Sequence, residues 1–140
     1  MNKKLFNGDG IIIYTDGGAR GNPGEAAVGV VMGVKKYKER IGVATNNVAG
    51  YKAVVLALKK AKQLLGKEAA VKAEIEIRMD SELVQRQLAG KYRIKEDELK
   101  ILYCDIHNLL FNFGKVSFRH VRREENKEAD RLVNEALDGK

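Results

Sequence analysis

The stretch that decides the fold is Ile11-Ile-Ile-Tyr-Thr-Asp-Gly-Gly-Ala-Arg-Gly-Asn-Pro-Gly24. Its first five residues form a short apolar run that is preceded by glycine, which is typical of a buried strand. Asp16 follows this run, and the glycine-rich remainder predicts a turn. In an open α/β sheet, ligands bind beyond the carboxyl ends of the strands. We therefore treat Asp16 as a candidate site residue.

Two further acids stand in comparable places. Asp80 follows Glu74-Ile-Glu-Ile-Arg-Met79, which alternates like a half-buried strand. Asp130 lies near the start of the last predicted helix, where it can face the same edge of the sheet. Clustered carboxylates repel one another unless a cation lies between them, so three converging acids predict Mg²⁺ or Mn²⁺. A purely structural role, in a turn, before a cap or on a helix surface, is the alternative for each acid taken alone.

The rest of the chain predicts an α/β fold in the order β-β-β-α-β-α-α-β-α. Two strands, residues 28–36 and 37–45, are joined by a lysine-rich connection. Asn46 and Asn47 are candidate caps of a helix that ends at Gly66. Ser81 caps a short helix over residues 82–89. A helix over 97–113, a strand over 116–121 and a helix over 125–137 complete a mixed five-stranded sheet flanked by helices.

Composition limits the class of protein. The chain has 140 residues, 44% apolar and 32% charged, which suits one domain with a packed core, residues 1–140 with the core over about 11–138. The formal charge of +7 favours a polyanionic partner, with simple solubility as the alternative. The single cysteine, Cys104, excludes an internal disulfide and a thiolate metal cage. No apolar run approaches the roughly 20 residues of a membrane span, and no signal peptide is recognised, so we expect a cytoplasmic protein.

Four motifs in this order resemble those of the type 1 ribonucleases H. They are Tyr14-Thr-Asp-Gly-Gly-Ala-Arg-Gly-Asn-Pro-Gly24, Ala44-Thr-Asn-Asn-Val-Ala49, Met79-Asp-Ser-Glu82 and Arg123-Glu-Glu-Asn-Lys-Glu-Ala-Asp-Arg-Leu132. The resemblance extends from about residue 11 to residue 137. It implies a ribonuclease H-like fold and an endonuclease that hydrolyses the RNA strand of RNA/DNA hybrids, leaving 5′-phosphate and 3′-hydroxyl ends.

The resemblance also implies a metal site. Asp16, Asp80 and Asp130 match three of the four metal-binding carboxylates of the family, which hold two Mg²⁺ ions, or Mn²⁺, together with the substrate. Gly50 occupies the position of the fourth, a glutamate in the family. A missing ligand predicts reduced or abolished cleavage, and the alternative function is an inactive module of the same fold that binds hybrids or double-stranded RNA. No obligate protein partner is evident.

The resemblance further implies a set of substrate contacts. Gly17, Gly18, Arg20 and Asn22 belong to the motif that follows the RNA strand. The sugar and phosphate groups of either strand are contacted from positions that match Asn46, Asn47, Ser81 and Gln85, and a further phosphate contact is expected from Arg123. The alternative is that the glycines only make turns and the asparagines only cap a helix.

Three smaller features complete the expectations. The family's basic protrusion is missing, and Lys91, Arg93 and Lys95 partly replace its charge or lie in a solvated loop. His120 has the same parity as Phe118 along the last strand, which predicts a packed histidine. His107 and Cys104 share one helix and are assigned to packing or to the surface.

Overall fold

The computed structural model describes residues 10–140. Within them the chain forms five strands and four α-helices: β1 (Ile11–Gly21), β2 (Gly24–Met32), β3 (Lys35–Ala44), α1 (Asn46–Ala70), β4 (Glu74–Met79), α2 (Glu82–Leu88), α3 (Asp97–Leu110), β5 (Lys115–His120) and α4 (Lys127–Leu137). The strand order is β3-β2-β1-β4-β5. Strands β1, β2 and β3 pair antiparallel, whereas β4 pairs parallel with both β1 and β5. The predicted mixed five-stranded sheet is confirmed.

The prediction of a turn after Asp16 is wrong. Strand β1 continues to Gly21, and the turn is the Asn22-Pro23 pair that leads into β2. Glycine is needed at Gly17 for another reason: a Cβ there would lie 2.2 Å from the carbonyl oxygen of Ala49 on α1. The glycine-rich stretch therefore lets a helix lie directly on the strand backbone. Asp16 sits inside β1, two residues beyond Tyr14, the last residue that pairs with β4.

Several predicted boundaries shift by a few residues. The connection between β2 and β3 is the tight turn Gly33-Val34, where Gly33 has a φ of 61°, and the lysines lie in β3. The cap of α1 is Thr45, whose hydroxyl accepts a hydrogen bond from the Val48 amide at 3.1 Å, so Asn46 and Asn47 are not caps. The backbone leaves helical geometry at Gly66, as predicted, before α1 resumes. A 3₁₀ turn, Arg123–Glu125, delays the start of α4.

Helices cover both faces of the sheet. Apolar side chains of β1 and β4 pack against α1, and Ile13, Ile77, Tyr51 and Leu58 are fully buried in that core. The other face of β2 packs against α4, where Ala27 contacts Val133 and Ala136 in a smaller cluster. None of the helices among residues 10–140 is long and apolar enough for a membrane span.

Helix α4 approaches the sheet almost as closely as α1 does. A Cβ on Gly29 would lie 2.5 Å from the Ala129 carbonyl oxygen and 3.0 Å from the Leu132 Cβ. Gly29 is the β2 residue that pairs with Asp16, and Ala129 precedes Asp130 in the chain. The absence of a side chain at Gly29 therefore brings Asp130 toward Asp16.

We expect Gly29→Ala to lower the free energy of unfolding by about 1–3 kcal/mol, the cost of forcing a methyl group into a packed contact. Gly18→Ala is the matched control, because a Cβ there meets only the Val133 Cγ1 atom, at 3.7 Å. Urea unfolding of both variants measures the difference. Equal stability of the two variants would contradict the proposed close contact between α4 and β2.

Candidate active site

A cleft of about 430 Å³ opens where β1, β4, α1 and α4 meet. Its walls contain all three candidate acids, Asp16, Asp80 and Asp130. Most of the expected substrate contacts also line it, namely Gly17, Gly18, Arg20, Asn46, Asn47, Ser81 and Arg123. Two do not, Asn22 and Gln85. Residues from four distant parts of the chain are thus gathered around one cleft.

The three acids interact electrostatically. The pKa of the Asp16 carboxyl is raised to about 8, chiefly by burial and then by the negative charges of Asp80 and Asp130, while a hydrogen bond from the Gly17 backbone amide partly offsets these effects. Asp80 is half-buried and Asp130 is exposed. The surroundings of Asp16 therefore oppose its ionisation, and a cation bound there would stabilise the ionised carboxylate.

The donor set fits a hard divalent cation that is only partly enclosed by protein. Carboxylate oxygens are the ligands Mg²⁺ prefers, and Mg²⁺ usually keeps several waters and shares its remaining positions with substrate phosphates. Among residues 10–140, no three His, Cys, Asp or Glu side chains are already gathered into a cage for an ion. The arrangement suits an ion held jointly by carboxylates, water and a phosphate group.

Asn126 links the backbone beside Asp16 to the start of α4, and the sequence analysis assigned it no role. Its side-chain amide donates to the Thr15 carbonyl at 2.9 Å, and its backbone carbonyl accepts from the Asp130 backbone amide at 3.1 Å. The residue is buried, and its Oδ1 atom has no hydrogen-bond partner. Asn126 therefore ties β1, next to Asp16, to the first turn of α4. Its position within the motif Arg123–Leu132 was the only sequence signal that could have indicated this role.

Two asparagines join the β1–β2 hairpin to the start of α1. The Asn22 side-chain oxygen accepts from the Asn46 amide at 3.0 Å, and the Asn46 side-chain oxygen accepts from the Ala19 amide at 2.9 Å. Asn22 thus supports the cleft without lining it. On the opposite side, the Ser81 hydroxyl accepts from the Val84 amide at 3.2 Å, which confirms the predicted cap and fixes the turn after Asp80.

Some expected residues have other surroundings. The Gln85 amide donates to the Phe118 carbonyl at 2.7 Å, so it joins α2 to β5 outside the cleft. Arg20 lines the cleft but also pairs with Asp138 at 2.7 Å. His120, the last residue of β5, is exposed, so the prediction of a packed histidine is wrong.

His107 and Cys104 are both exposed on α3. The His107 ring stacks with that of Tyr103 and meets the Phe111 ring edge-on. Neither residue lines the cleft.

Gly50 lines the cleft in the first turns of α1. A Cβ there would lie 3.3 Å from the Val84 Cγ2 atom, so α2 packs closely on this position. The two other acids of the first three strands lie elsewhere: Glu25 pairs with Arg40 at 3.4 Å, and Glu39 lines a different groove. Neither of them compensates for the missing glutamate.

The raised pKa of Asp16 predicts a pH dependence of stability without metal. The native carboxyl holds its proton up to about pH 8, whereas the unfolded one releases it near 3.8, so the native state binds the extra proton between these values. Its contribution to stability is therefore lost as pH rises through that window. In EDTA at pH 8, we expect Asp16→Asn to melt a few degrees higher than the parent, the shift that about 1 kcal/mol produces.

The advantage of Asp16→Asn should shrink at pH 5 and when Mg²⁺ replaces EDTA. Asp105→Asn, on the exposed face of α3, is the control. Thermal melting of the three proteins under these conditions measures the effect. A variant that melts no higher than the parent at pH 8 in EDTA would show that Asp16 is not under electrostatic stress.

Comparison with known proteins assigns the fold and the cleft to a family. The family described as reverse transcriptase-like matches residues 15–136. The ribonuclease HI of Halobacterium salinarum is 41% identical over 131 residues, covering 89% of this chain and 63% of that protein. The bifunctional protein Rv2228c of Mycobacterium tuberculosis is 38% identical over 91% of this chain. This chain spans only 35% of that second relative.

Solved structures of ribonucleases H1 resemble this chain in fold and in sequence. The crystal structure of LC11-RNase H1 in complex with an RNA/DNA hybrid has a TM-score of 0.86 and 44% identity, covering 91% of this chain and 96% of that one. RNase H1 from Halobacterium salinarum has a TM-score of 0.83 and 41% identity, covering 92% and 98%. With the sheet order and cleft described above, these similarities place the chain in the reverse transcriptase-like family, with the fold of the type 1 ribonucleases H.

Proposed function

We propose that this chain is a metal-dependent endonuclease that hydrolyses the RNA strand of RNA/DNA hybrids, leaving 5′-phosphate and 3′-hydroxyl ends. The observation that carries the proposal is the meeting of Asp16, Asp80 and Asp130 in one cleft. The similarity to LC11-RNase H1, whose structure contains a hybrid, supports the substrate class. A cytoplasmic location, a single domain over residues 1–140 and action without an obligate protein partner belong to the same proposal.

Asp16, Asp80 and Asp130 would hold the metal. Ribonucleases H generally depend on divalent ions, and we infer two Mg²⁺ ions here, with Mn²⁺ as a substitute, bound together with the substrate. The chemistry that bound ions would supply here is a water molecule of lowered pKa and neutralisation of charge on the scissile phosphate and the leaving oxygen. Without them, the raised pKa keeps Asp16 largely protonated near neutral pH, so metal binding and proton release are coupled at this carboxyl.

The remaining cleft residues would position the duplex. Beyond Tyr14, strand β1 is no longer paired with β4, so the backbone of Gly17 and Gly18 borders the cleft without intervening side chains. The cations that line the cleft, Arg20 and Arg123, are suited to phosphates, and the polar side chains of Asn46, Asn47 and Ser81 are suited to sugar and phosphate oxygens. Asn22 acts indirectly, by holding Asn46 in place.

Gly50 favours a second candidate function. Without a fourth acid, the cleft has fewer oxygen ligands for metal, and the same surfaces serve a module that binds hybrids or double-stranded RNA without cutting. Cleavage separates the two functions. A protein that binds a hybrid but leaves its RNA intact in both Mg²⁺ and Mn²⁺ would be such a module.

The direct test is single-turnover cleavage of a hybrid with 5′-labelled RNA. We expect products in Mg²⁺ or Mn²⁺ and none in EDTA. Asp80→Asn should slow cleavage at least 100-fold, because a lost metal ligand removes several kcal/mol of transition-state stabilisation and each 1.36 kcal/mol is about tenfold in rate. Asp105→Asn, outside the cleft, should cleave like the parent. If Asp80→Asn retained the parent rate, the carboxylates would not be the catalytic centre.

Restoring the missing acid should increase the rate. Gly50→Glu adds a carboxylate to the cleft, and we expect cleavage about tenfold faster or more in Mg²⁺. Gly50→Gln is the matched control, because it has the same length and the same contact with Val84 but no charge. In both variants, replacing glycine should stabilise the helix by about 1 kcal/mol. The cost of displacing the Val84 methyl groups reduces this gain equally in the two.

The charge of the new carboxylate should also be visible in stability. Thermal melting should place Gly50→Glu below Gly50→Gln in EDTA, where the new charge crowds Asp16, and reduce that difference in Mg²⁺. If Gly50→Glu cleaves no faster than Gly50→Gln, a fourth acid does not limit catalysis.

A further inference from the structure

Helix α1 carries more than half of the net charge of the chain. Its 25 residues include five lysines, at positions 52, 59, 60, 62 and 67, and a single acid, Glu68, a net charge of +4 out of +7. Lys59, Lys62 and Lys67 are exposed, and we call these three residues the lysine face. They lie on the second half of the helix, away from the cleft end.

The lysine face is electrostatically uncompensated. In β3, by contrast, Lys36 pairs with Glu128 at 2.7 Å and Lys38 pairs with Glu135 at 3.0 Å, so those charges fasten β3 to α4. Within residues 10–140, no lysine of α1 has a carboxylate oxygen within 4.0 Å. Neighbouring like charges on a helix are mildly destabilising, so they do not serve the fold.

The lysine face borders a groove of about 630 Å³ that is separate from the carboxylate cleft. Leu56 and Leu109 provide apolar surface, and Lys59, Lys60, Lys62 and Lys67 surround it with a single acid, Glu39. The Lys60 ammonium lies 5.1 Å from the centre of the Tyr37 ring, which holds it beside β3. None of these residues lines the cleft. The groove is therefore a distinct cationic surface.

We propose that the lysine face binds the sugar–phosphate backbone of a nucleic-acid duplex, as a second contact surface outside the carboxylate cleft. Lysines neutralise phosphates without reading sequence, and this neutralisation supplies most non-specific affinity. Positions 59 to 65, before the backbone leaves helical geometry at Gly66, extend over about 9 Å of helix, the length of two to three base-pair steps, and Lys67 follows directly after this break. The choice of a duplex rests on the proposed function.

The residue types favour nucleic acid over an acidic protein. Protein–protein interfaces are depleted in lysine and enriched in arginine and aromatic side chains. The groove presents four lysines and neither an arginine nor an aromatic residue among its lining side chains. Flexible point charges around a small apolar patch suit a backbone of regularly spaced phosphates.

The test is binding in EDTA, where the metal-dependent reaction is off. The variant Lys59→Gln/Lys62→Gln/Lys67→Gln is compared with Lys35→Gln/Lys100→Gln/Lys115→Gln, which removes the same charge from other places. Glutamine is as good a helix former as lysine, and melting curves verify the fold. The probes are a fluorescent 30-base-pair RNA/DNA hybrid, a DNA duplex of the same length and poly-L-glutamate, titrated from 50 to 300 mM NaCl.

We expect the lysine-face variant to bind both duplexes at least tenfold more weakly at 50 mM NaCl, with the log–log salt slope reduced by about 2. The control should lose less than threefold. Equal losses in the two variants would overturn the proposal, since only net charge would then matter. Unchanged duplex binding would also overturn it, and if poly-L-glutamate binding alone were lost, the surface would belong to an acidic protein. Binding is measured in EDTA, where no cleavage occurs. A protein that does not cleave hybrids can therefore still confirm or contradict the role of the lysine face.

Discussion

Direct contact between strand backbone and helix backbone sets the positions of the cleft residues. At Gly17 strand β1 meets α1, and at Gly29 strand β2 meets α4, at distances that leave no room for a Cβ atom. These two contacts bring α1 and α4 to opposite sides of the pair β1–β2. The position of Asp80 does not depend on these contacts, because this residue follows β4, which pairs with β1 in parallel. The carboxylates converge because the glycines allow the layers to approach.

The same packing creates the electrostatic conflict in the cleft. Burial of Asp16 beside two other acids raises its pKa, and the fold contains hydrogen bonds that hold this arrangement. Asn126 joins Thr15 to Asp130, while Ser81 caps the helix that follows Asp80. Such strain is expected where a site is built for a charged ligand, since the ligand relieves it. The cleft and the lysine face thus present opposite charges on one small domain.

Much of the fold was predictable because strand and helix periodicities are strong in this chain. The alternation in β4 gave its bounds correctly, and the Ser81 cap was correct. The turn at Asp16 was wrong because glycine has two uses, chain reversal and close approach, and local sequence does not distinguish them. Which helix lies on Gly17 is decided by tertiary packing alone.

The site was predictable in outline, from three acids at related places in the topology, but not in its supporting contacts. Asn46 and Asn47 looked like caps because capping asparagines are common, yet Thr45 takes that role and Asn46 reaches the hairpin. Gln85 was expected at the substrate and instead contacts β5. The partner of a polar side chain depends on residues distant in sequence, and Asn126 was missed for the same reason.

The most direct measurement of the central claim is a carbon-13 NMR titration of the aspartate carboxyl groups, with and without Mg²⁺. If Asp16, Asp80 and Asp130 form one cation-binding unit, the pKa of Asp16 should be near 8 in EDTA and fall when Mg²⁺ is added. The carboxyl resonance of Asp105, which lies outside the cleft, should not move when Mg²⁺ is added. An Asp16 carboxyl that titrates near 4 in EDTA and ignores Mg²⁺ would contradict the account.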